Sequence, residues 1–402
     1  MGPLAGVRVI EFAHIMAGPT CGLMLADLGA DVIKVERIGA GDDTRRSVPP
    51  AVDGESAAFM MMNRNKRGLA VDLKAEAGRE IARRLIAGAD VVIENFRKGA
   101  MERLGLGYEA MREVNPGIVY CEISGFGRTG PYAERGGFDL IAQGMSGVMS
   151  ITGEGPGRPP VKVGGPITDI TAGILAAMGI LAAYARRLKT GHGQRVDTSL
   201  FEAGIVHTYW QSAIAFATGV APGPMGSAHP LNAPYQALQT ADGWITIGAA
   251  NQANWLKLLD AIEHPQLIDD LRFADNDARM RNLDALVAVV EPVFRARSTQ
   301  DWLARLETAG VPAGPILDVI QMHDDPQTRA RGMVQTVRHT RVGEVQTIGC
   351  PVKFSDTPAE ITRGAPLLGE HGREVLSEIG YGEEEIDRFV ADGVVGVPGW
   401  SL

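Results

Sequence analysis

"VRVIEFAHIMAGPTCGLMLADLGADVIKVER", residues 7–37, is the stretch on which the fold turns. "VRVIEFA" is a short β-branched run, and "PTCGLMLADLGA" reads as a helix opened by Pro19 and closed by Gly29. "DVIKVER" is a second strand. Strand, helix, strand in so short a span is the unit of a parallel sheet, because parallel neighbours need a crossover between them. The pattern continues outward. After a polar loop, "AEAGREIARRLIAGA" (75–89) is a helix and "DVVIENF" (90–96) a third strand. "YEAMREVNPGIVYCEISGF" (108–126) is a helix followed by a fourth strand. An open parallel sheet binds ligands beyond the carboxyl ends of its strands. The turn after the first strand reads "AHIMAGPTCG" instead of GxGxxG, which argues against a nicotinamide cofactor. No Walker motif, HExxH or GxSxG occurs either.

The texture changes near residue 220. "GVAPGPMGSAHPLNAP" is rich in Pro and Gly, and "YQALQTADGWITIGAA" reads as two strands around Asp242-Gly243, a hairpin signal. Helical segments at Asn254–Ile262, Asn282–Arg295 and Gln300–Ala309 complete a smaller α+β domain. The divisions are therefore 1–205 for a large Rossmann-like α/β domain, 206–225 for a linker, and 226–325 for the small domain.

Among 402 residues, 45 % are hydrophobic and 22 % charged, the balance of a globular protein with a full core. A net charge of −9 argues against nucleic acid as a bulk partner, since phosphate backbones need a basic field. Cys21, Cys121 and Cys350 lie far apart with no metal-type spacing, as in a reducing compartment. Arg8, Glu11 and His14 interrupt any secretory signal, and the uncharged run Ile170–Ala185 is shorter than the roughly 20 apolar residues of a membrane span. A cytoplasmic protein is the expectation.

Cations gather near the strand ends: Lys34, Arg37, Arg45 and Arg46, then Arg64, Lys66, Arg67 and Lys74, then Arg97, Lys98 and Arg103. They form either a solvated surface or a cradle for a phosphate-bearing ligand. Asp169 stands at the mouth of "ITAGILAAMGILAAYA", where Thr168 and Asp169 occupy an expected N-cap. Gly173, Ala177, Gly179 and Ala183 are small residues at helical spacings, so neighbouring backbone can approach closely. A carboxylate facing a cleft there, kept ionised by the helix dipole, is a competent nucleophile toward an activated acyl group. His14, after the first strand, and His229, in "SAHPLNAPY", are candidate bases without a recognisable triad partner.

Taken together, "AGPTCGLMLADLGADVIKVERIGAGDDTR", "NRNKRGLAVDLK", "VIENFRKGAMERLGLGYE", "GFGRTGPYAERGGFDLIAQGMSG", "TDITAGILAAMGILAAYARRLKTGHGQRVDTSL" and "APLLGEHGREVL" resemble the family III CoA-transferases (CaiB/BaiF type), the group of formyl-CoA and carnitine CoA-transferases. The blocks occur in the family's order along essentially the whole chain. The resemblance implies that Asp169 is the aspartate acylated during turnover. It implies that CoA, a substrate and not a tightly bound cofactor, is contacted around His14, Ile15 and Ala17, by Arg37, near Val71 and Lys74, and by Asn95, Phe96 and Arg103. It also implies an interlocked homodimer, with segment 326–402 returning to the large domain.

Within the resemblance, Phe138 stands where the related α-methylacyl-CoA racemases carry a catalytic His, which disfavours that isomerase alternative. Met16 replaces the Gln of formyl-CoA transferases, and their glycine-rich flap is missing. "GSAHPLNAPYQALQTADG" is similar to members that use succinate- or glutarate-like acids. The implied activity is CoA transfer from an acyl-CoA to a free carboxylic acid, with acyl-CoA and acid as partners and neither membrane nor nucleic acid. A non-catalytic CoA-binding protein, with Asp169 only a cap, is the remaining class.

Overall fold

The computed structural model describes residues 2–399. They divide into two compact units: residues 2–148, 163–207 and 326–399, and residues 149–162 and 208–325. Seven strands form the sheet of the first unit: β1 (Arg8–Glu11), β2 (Asp31–Glu36), β3 (Arg67–Val71), β4 (Val91–Glu94), β5 (Val119–Ser124), β6 (Arg195–Ser199) and β7 (Val395–Gly396). Their order is β7-β3-β2-β1-β4-β5-β6. All pairs are parallel except β7 on β3, where Val395 opposes Val71.

Strand residues alternate between two buried faces. Ile10, Ile33, Val92 and Tyr120 meet the helix Glu76–Ala87 and the C-terminal helices on one side. Val9, Val32, Val91, Val119 and Cys121 meet helices α1 (Ala17–Asp27) and, later in the chain, α3 (Ile167–Thr190) on the other. Such strands read as continuous apolar runs because both faces are covered. Helix α1 is buried nearly all round, as expected of a helix wedged between a sheet and another helix. Gly173 permits that wedge: a Cβ there would lie 2.6 Å from the Ala17 carbonyl oxygen. The second small residue read from the spacing, Gly179, faces β6 instead, with Val196 Cγ1 2.8 Å from a hypothetical Cβ.

Three readings are corrected. The polar loop before residue 75 contains β3, whose "RGLAV" is too short to show an alternation yet is wholly buried. Segment 206–225 is not merely a linker: "YWQSAIAFAT" forms a helix over Tyr209–Thr218, uninterrupted until Gly219 ends it at φ 71°. Helix α3 runs 24 residues, long and apolar enough to cross a bilayer by composition alone. Its buried stripe, Ala172, Ala176, Ala177, Ile180 and Ala183, packs in the core beside α1.

The second unit has a three-stranded antiparallel sheet of Tyr235–Gln239, Trp244–Gly248 and Ala313–Pro315. The hairpin turns at Asp242-Gly243, and its core is built on Trp255, Phe273, Phe294 and Trp302.

Candidate active site

Two cavities open beyond the carboxyl ends of the first unit's strands. The larger, about 560 Å³, is lined by His14, Arg37, Val71, Lys74 and Phe96 among others. The smaller, about 200 Å³, is lined by His14, Ile15, Ala17, Asn95, Phe96, Phe138 and Asp169. His14 and Phe96 belong to both and stack with ring centroids 5.1 Å apart, so the pair is a shared wall. Of Asp169 and the CoA contacts implied by the resemblance, only Arg103 lines neither; it is exposed at the end of the short helix Ala100–Arg103, whose Ala100 borders the larger cavity.

Asp169 is not a cap. Helix α3 begins at Ile167 after Pro166, so Asp169 lies inside the first turn, past the cap position, and its carboxylate accepts no hydrogen bond among the described residues. The cap is supplied from elsewhere. Asp139, at the start of α2 (Asp139–Met145), accepts the Thr168 N–H at 2.9 Å and the Thr168 hydroxyl at 2.7 Å. Burial, and then the neighbouring Asp139 charge, push the Asp169 carboxyl up to about 7. Near the helix start, where a dipole would favour the ionised form, burial and a like charge push the carboxyl the other way. Phe138 precedes α2 and lies in the wall of the Asp169 cavity, 68 % exposed.

The loop between β1 and α1 is clamped by side chains. Asn95, just past β4, accepts the His14 N–H and donates to the His14 carbonyl, each at 2.8 Å. Glu94 accepts the Phe96 N–H at 2.7 Å, and Arg128 donates to the Phe96 carbonyl at 3.0 Å while pairing with Glu94. Burial lifts the Glu94 carboxyl to about 7 against the pull of Arg128. Burial and the Lys34 charge hold His14 below the ordinary histidine value, which favours its neutral ring. His229 belongs to the second unit, where it stacks on Tyr235 at 5.0 Å and accepts the Leu231 N–H.

The clustered cations separate into two populations. Lys34 is wholly buried on Glu11 and Asp42, and Lys66 on Glu11, with N–O distances of 2.8–2.9 Å. Arg64 pairs with buried Asp27, Arg67 with Asp31, Glu374 and Glu378, and Arg45 with Glu36. These cations hold the fold together and line neither of the two cavities. Arg37 is different: it is 54 % exposed, pairs with Asp43 at 2.6 Å, and borders the larger cavity with Lys74. Sequence reasoning missed Asp42, Glu94 and Arg128; a lone acid or arginine carries no spacing that reports which backbone it will clamp.

The profile of "CoA-transferase family III" matches residues 4–372. The chain is 40 % identical to the succinate–glutarate CoA-transferase of Agrobacterium fabrum, over 94 % of this chain and 96 % of that one. It is also 40 % identical to the acetyl-CoA:oxalate CoA-transferase of Acetobacter aceti, over 94 % and 96 %. A crystal structure of a CaiB/BaiF family protein from Brucella suis superposes with a TM-score of 0.83 at 43 % identity, covering 94 % of this chain and 99 % of that one.

Proposed function

The chain belongs to CoA-transferase family III, and from that premise we propose that it transfers CoA from an acyl-CoA to a free dicarboxylic acid through covalent intermediates on Asp169. The observation that carries the mechanism is a carboxylate without a hydrogen-bond or ion-pair partner among the described residues, in a small cavity that shares its His14–Phe96 wall with a larger cleft bordered by Arg37 and Lys74 as well as by acidic residues. The Agrobacterium and Acetobacter relatives, by name, act on succinate, glutarate and oxalate, and this supports a dicarboxylate acceptor.

In this mechanism the ionised Asp169 attacks the thioester carbonyl; the C–S bond breaks, leaving a mixed anhydride and CoA thiolate. The thiolate attacks the aspartyl carbonyl, forming aspartyl-CoA thioester and releasing the donor as its carboxylate. The acceptor carboxylate attacks that thioester, giving a second anhydride, and thiolate attack on the acceptor carbonyl regenerates Asp169. Dividing the exchange in this way replaces one hard displacement by easier ones. Both intermediates are prone to hydrolysis, so the cavity must exclude water. CoA lies along the larger cleft, its phosphates near Arg37, Lys74 and Arg103.

The same reading takes CoA as a cosubstrate with no tightly bound cofactor. It places the protein in the cytoplasm, in keeping with three unpaired buried cysteines. It makes the protein an interlocked homodimer, for which the exposed Ile170, Ile174 and Met178 on one face of α3 supply apolar surface.

Asp169→Ala should abolish transfer yet leave CoA binding intact, and hydroxylamine trapping after incubation with an acyl-CoA should yield a hydroxamate at Asp169. An Asp169→Ala enzyme that retained its rate would refute the mechanism. Phe138 has no titratable atom to move a proton at the α-carbon, so solvent deuterium should not enter 2-methylacyl-CoA during turnover. Rapid incorporation without thioesterification of any acid would instead establish an isomerase.

A further inference from the structure

Ile15 has a backbone φ of 67°. That is the left-handed region, where a β-branched residue is a true outlier and persists only if its surroundings impose it. Its side chain is 42 % exposed, so no packing requirement selects isoleucine's conformation from that side. What holds it lies beneath. The buried Asp42 carboxylate accepts the Ile15 N–H with both oxygens, at 3.1 and 3.2 Å. Asp42 is itself fixed by Lys34 Nζ at 2.9 Å and by the Thr44 N–H and hydroxyl, each at 2.9 Å. Lys34 in turn donates to the Ala13 carbonyl at 2.8 Å, so the same pair grips the loop on both sides of His14.

The strained turn has a definite effect. Residues 14–17 all line the Asp169 cavity, and Ala17 starts α1. A relaxed Ile15, with negative φ, would swing the Met16 peptide and the start of α1 away from their present place opposite Asp169.

We propose that Asp42 is a positioning residue for the reaction at Asp169: by holding Ile15 in the left-handed conformation, it fixes the wall of residues 14–17 against which the acyl group is presented. The proposal rests on the reading of Asp169 as nucleophile, but its test is separable from that reading.

The test compares variants in which Asp169 is intact, by steady-state kinetics with succinyl-CoA as donor and glutarate as acceptor. Asp42→Ala should lower kcat on the order of 10²-fold, the cost of misplacing a reacting group by about 1 Å, with KM for the acyl-CoA changed less than about threefold. Adding Ile15→Gly should restore kcat by roughly tenfold, because glycine enters the left-handed region unaided. A side chain needed only for core stability would not be rescued by a glycine on the exposed loop. Should Asp42→Ala fail to fold, Ile15→Pro is compared with Ile15→Ala, which trims the same cavity-lining side chain but keeps the N–H that Asp42 accepts; proline neither donates to Asp42 nor adopts positive φ. Ile15→Pro should lose kcat on the same order relative to Ile15→Ala, with little change in melting temperature. An Ile15→Pro enzyme as active as Ile15→Ala, or no rescue by Ile15→Gly, overturns the proposal. Activity surviving Asp169→Ala would strike at the nucleophile reading, whereas these outcomes report on the clamp.

Discussion

The two cavities on either side of the His14–Phe96 wall are built on opposite electrostatic plans. The larger has charges of both signs on its lining, with Arg37 and Lys74 beside Glu36, Asp43 and Asp72. The smaller has no lysine or arginine in its lining, and Asp169 is its one carboxylate. A cation beside Asp169 would hold the carboxyl low and blunt it as a nucleophile; the lack of one, with burial and Asp139, lifts it to about 7. The lesson is a division of labour. Under the proposed mechanism, cations that would grip a polyanion are kept a wall away from the carboxylate that attacks.

That division can be broken most severely at Asp169. Asp169→Asn should reduce transfer on the order of 10⁴-fold or more, as losses of catalytic nucleophiles do, while CoA affinity by calorimetry stays near wild type. Comparable losses in both would mean the two cavities do not divide the work.

A smaller effect is expected from pH. The ionised carboxylate is the attacking form, so single-turnover acylation should rise with pH and level off above about 7. Asp139→Asn removes the like charge while keeping an oxygen for Thr168, and should move the midpoint toward acid. A midpoint that stays in place would assign the whole shift to burial.

On the other side of the wall, Arg37→Ala should weaken CoA binding by roughly 1–2 kcal/mol. This lies at the low end for charged hydrogen bonds, because Arg37 is half exposed and already paired with Asp43. The loss should shrink for pantetheine thioesters, which lack the phosphates, and kcat should hold. A separate effect concerns stability. A carboxyl whose folded pKa lies above its unfolded value binds extra protons in the native state, so its stabilisation is lost as pH rises from about 4 through about 7. Asp169→Asn should therefore gain melting temperature relative to wild type at pH 8 and little at pH 4, by scanning calorimetry.

The parallel sheet and the hairpin at Asp242-Gly243 were legible because apolar runs and turn residues are local signals. Asp169 was legible as a carboxylate heading a small-residue helix, but its role as cap was misread: the cap comes from Asp139, distant in sequence and next to it in space. The cations show the same limit. Lys34 and Arg37 sit three residues apart at the end of β2, one sealed on Glu11 and Asp42 and the other open to solvent. Strand alternation sends neighbours to opposite faces, yet only the fold decides which face is closed. Likewise, nothing local marks Ile15 as left-handed, since the cause is Asp42 on another loop.

The antiparallel strand β7 also bears on biosynthesis. It covers the outer edge of β3, yet among the described residues it is the last strand to be synthesised. At translation speeds of about 5–20 residues per second, the backbone N–H and C=O groups along that edge of β3 stay uncovered for tens of seconds in the nascent chain. An uncovered strand edge is a template for pairing with other chains. Ribosome-bound chains stalled before β7 are therefore the species in which chaperone demand should concentrate.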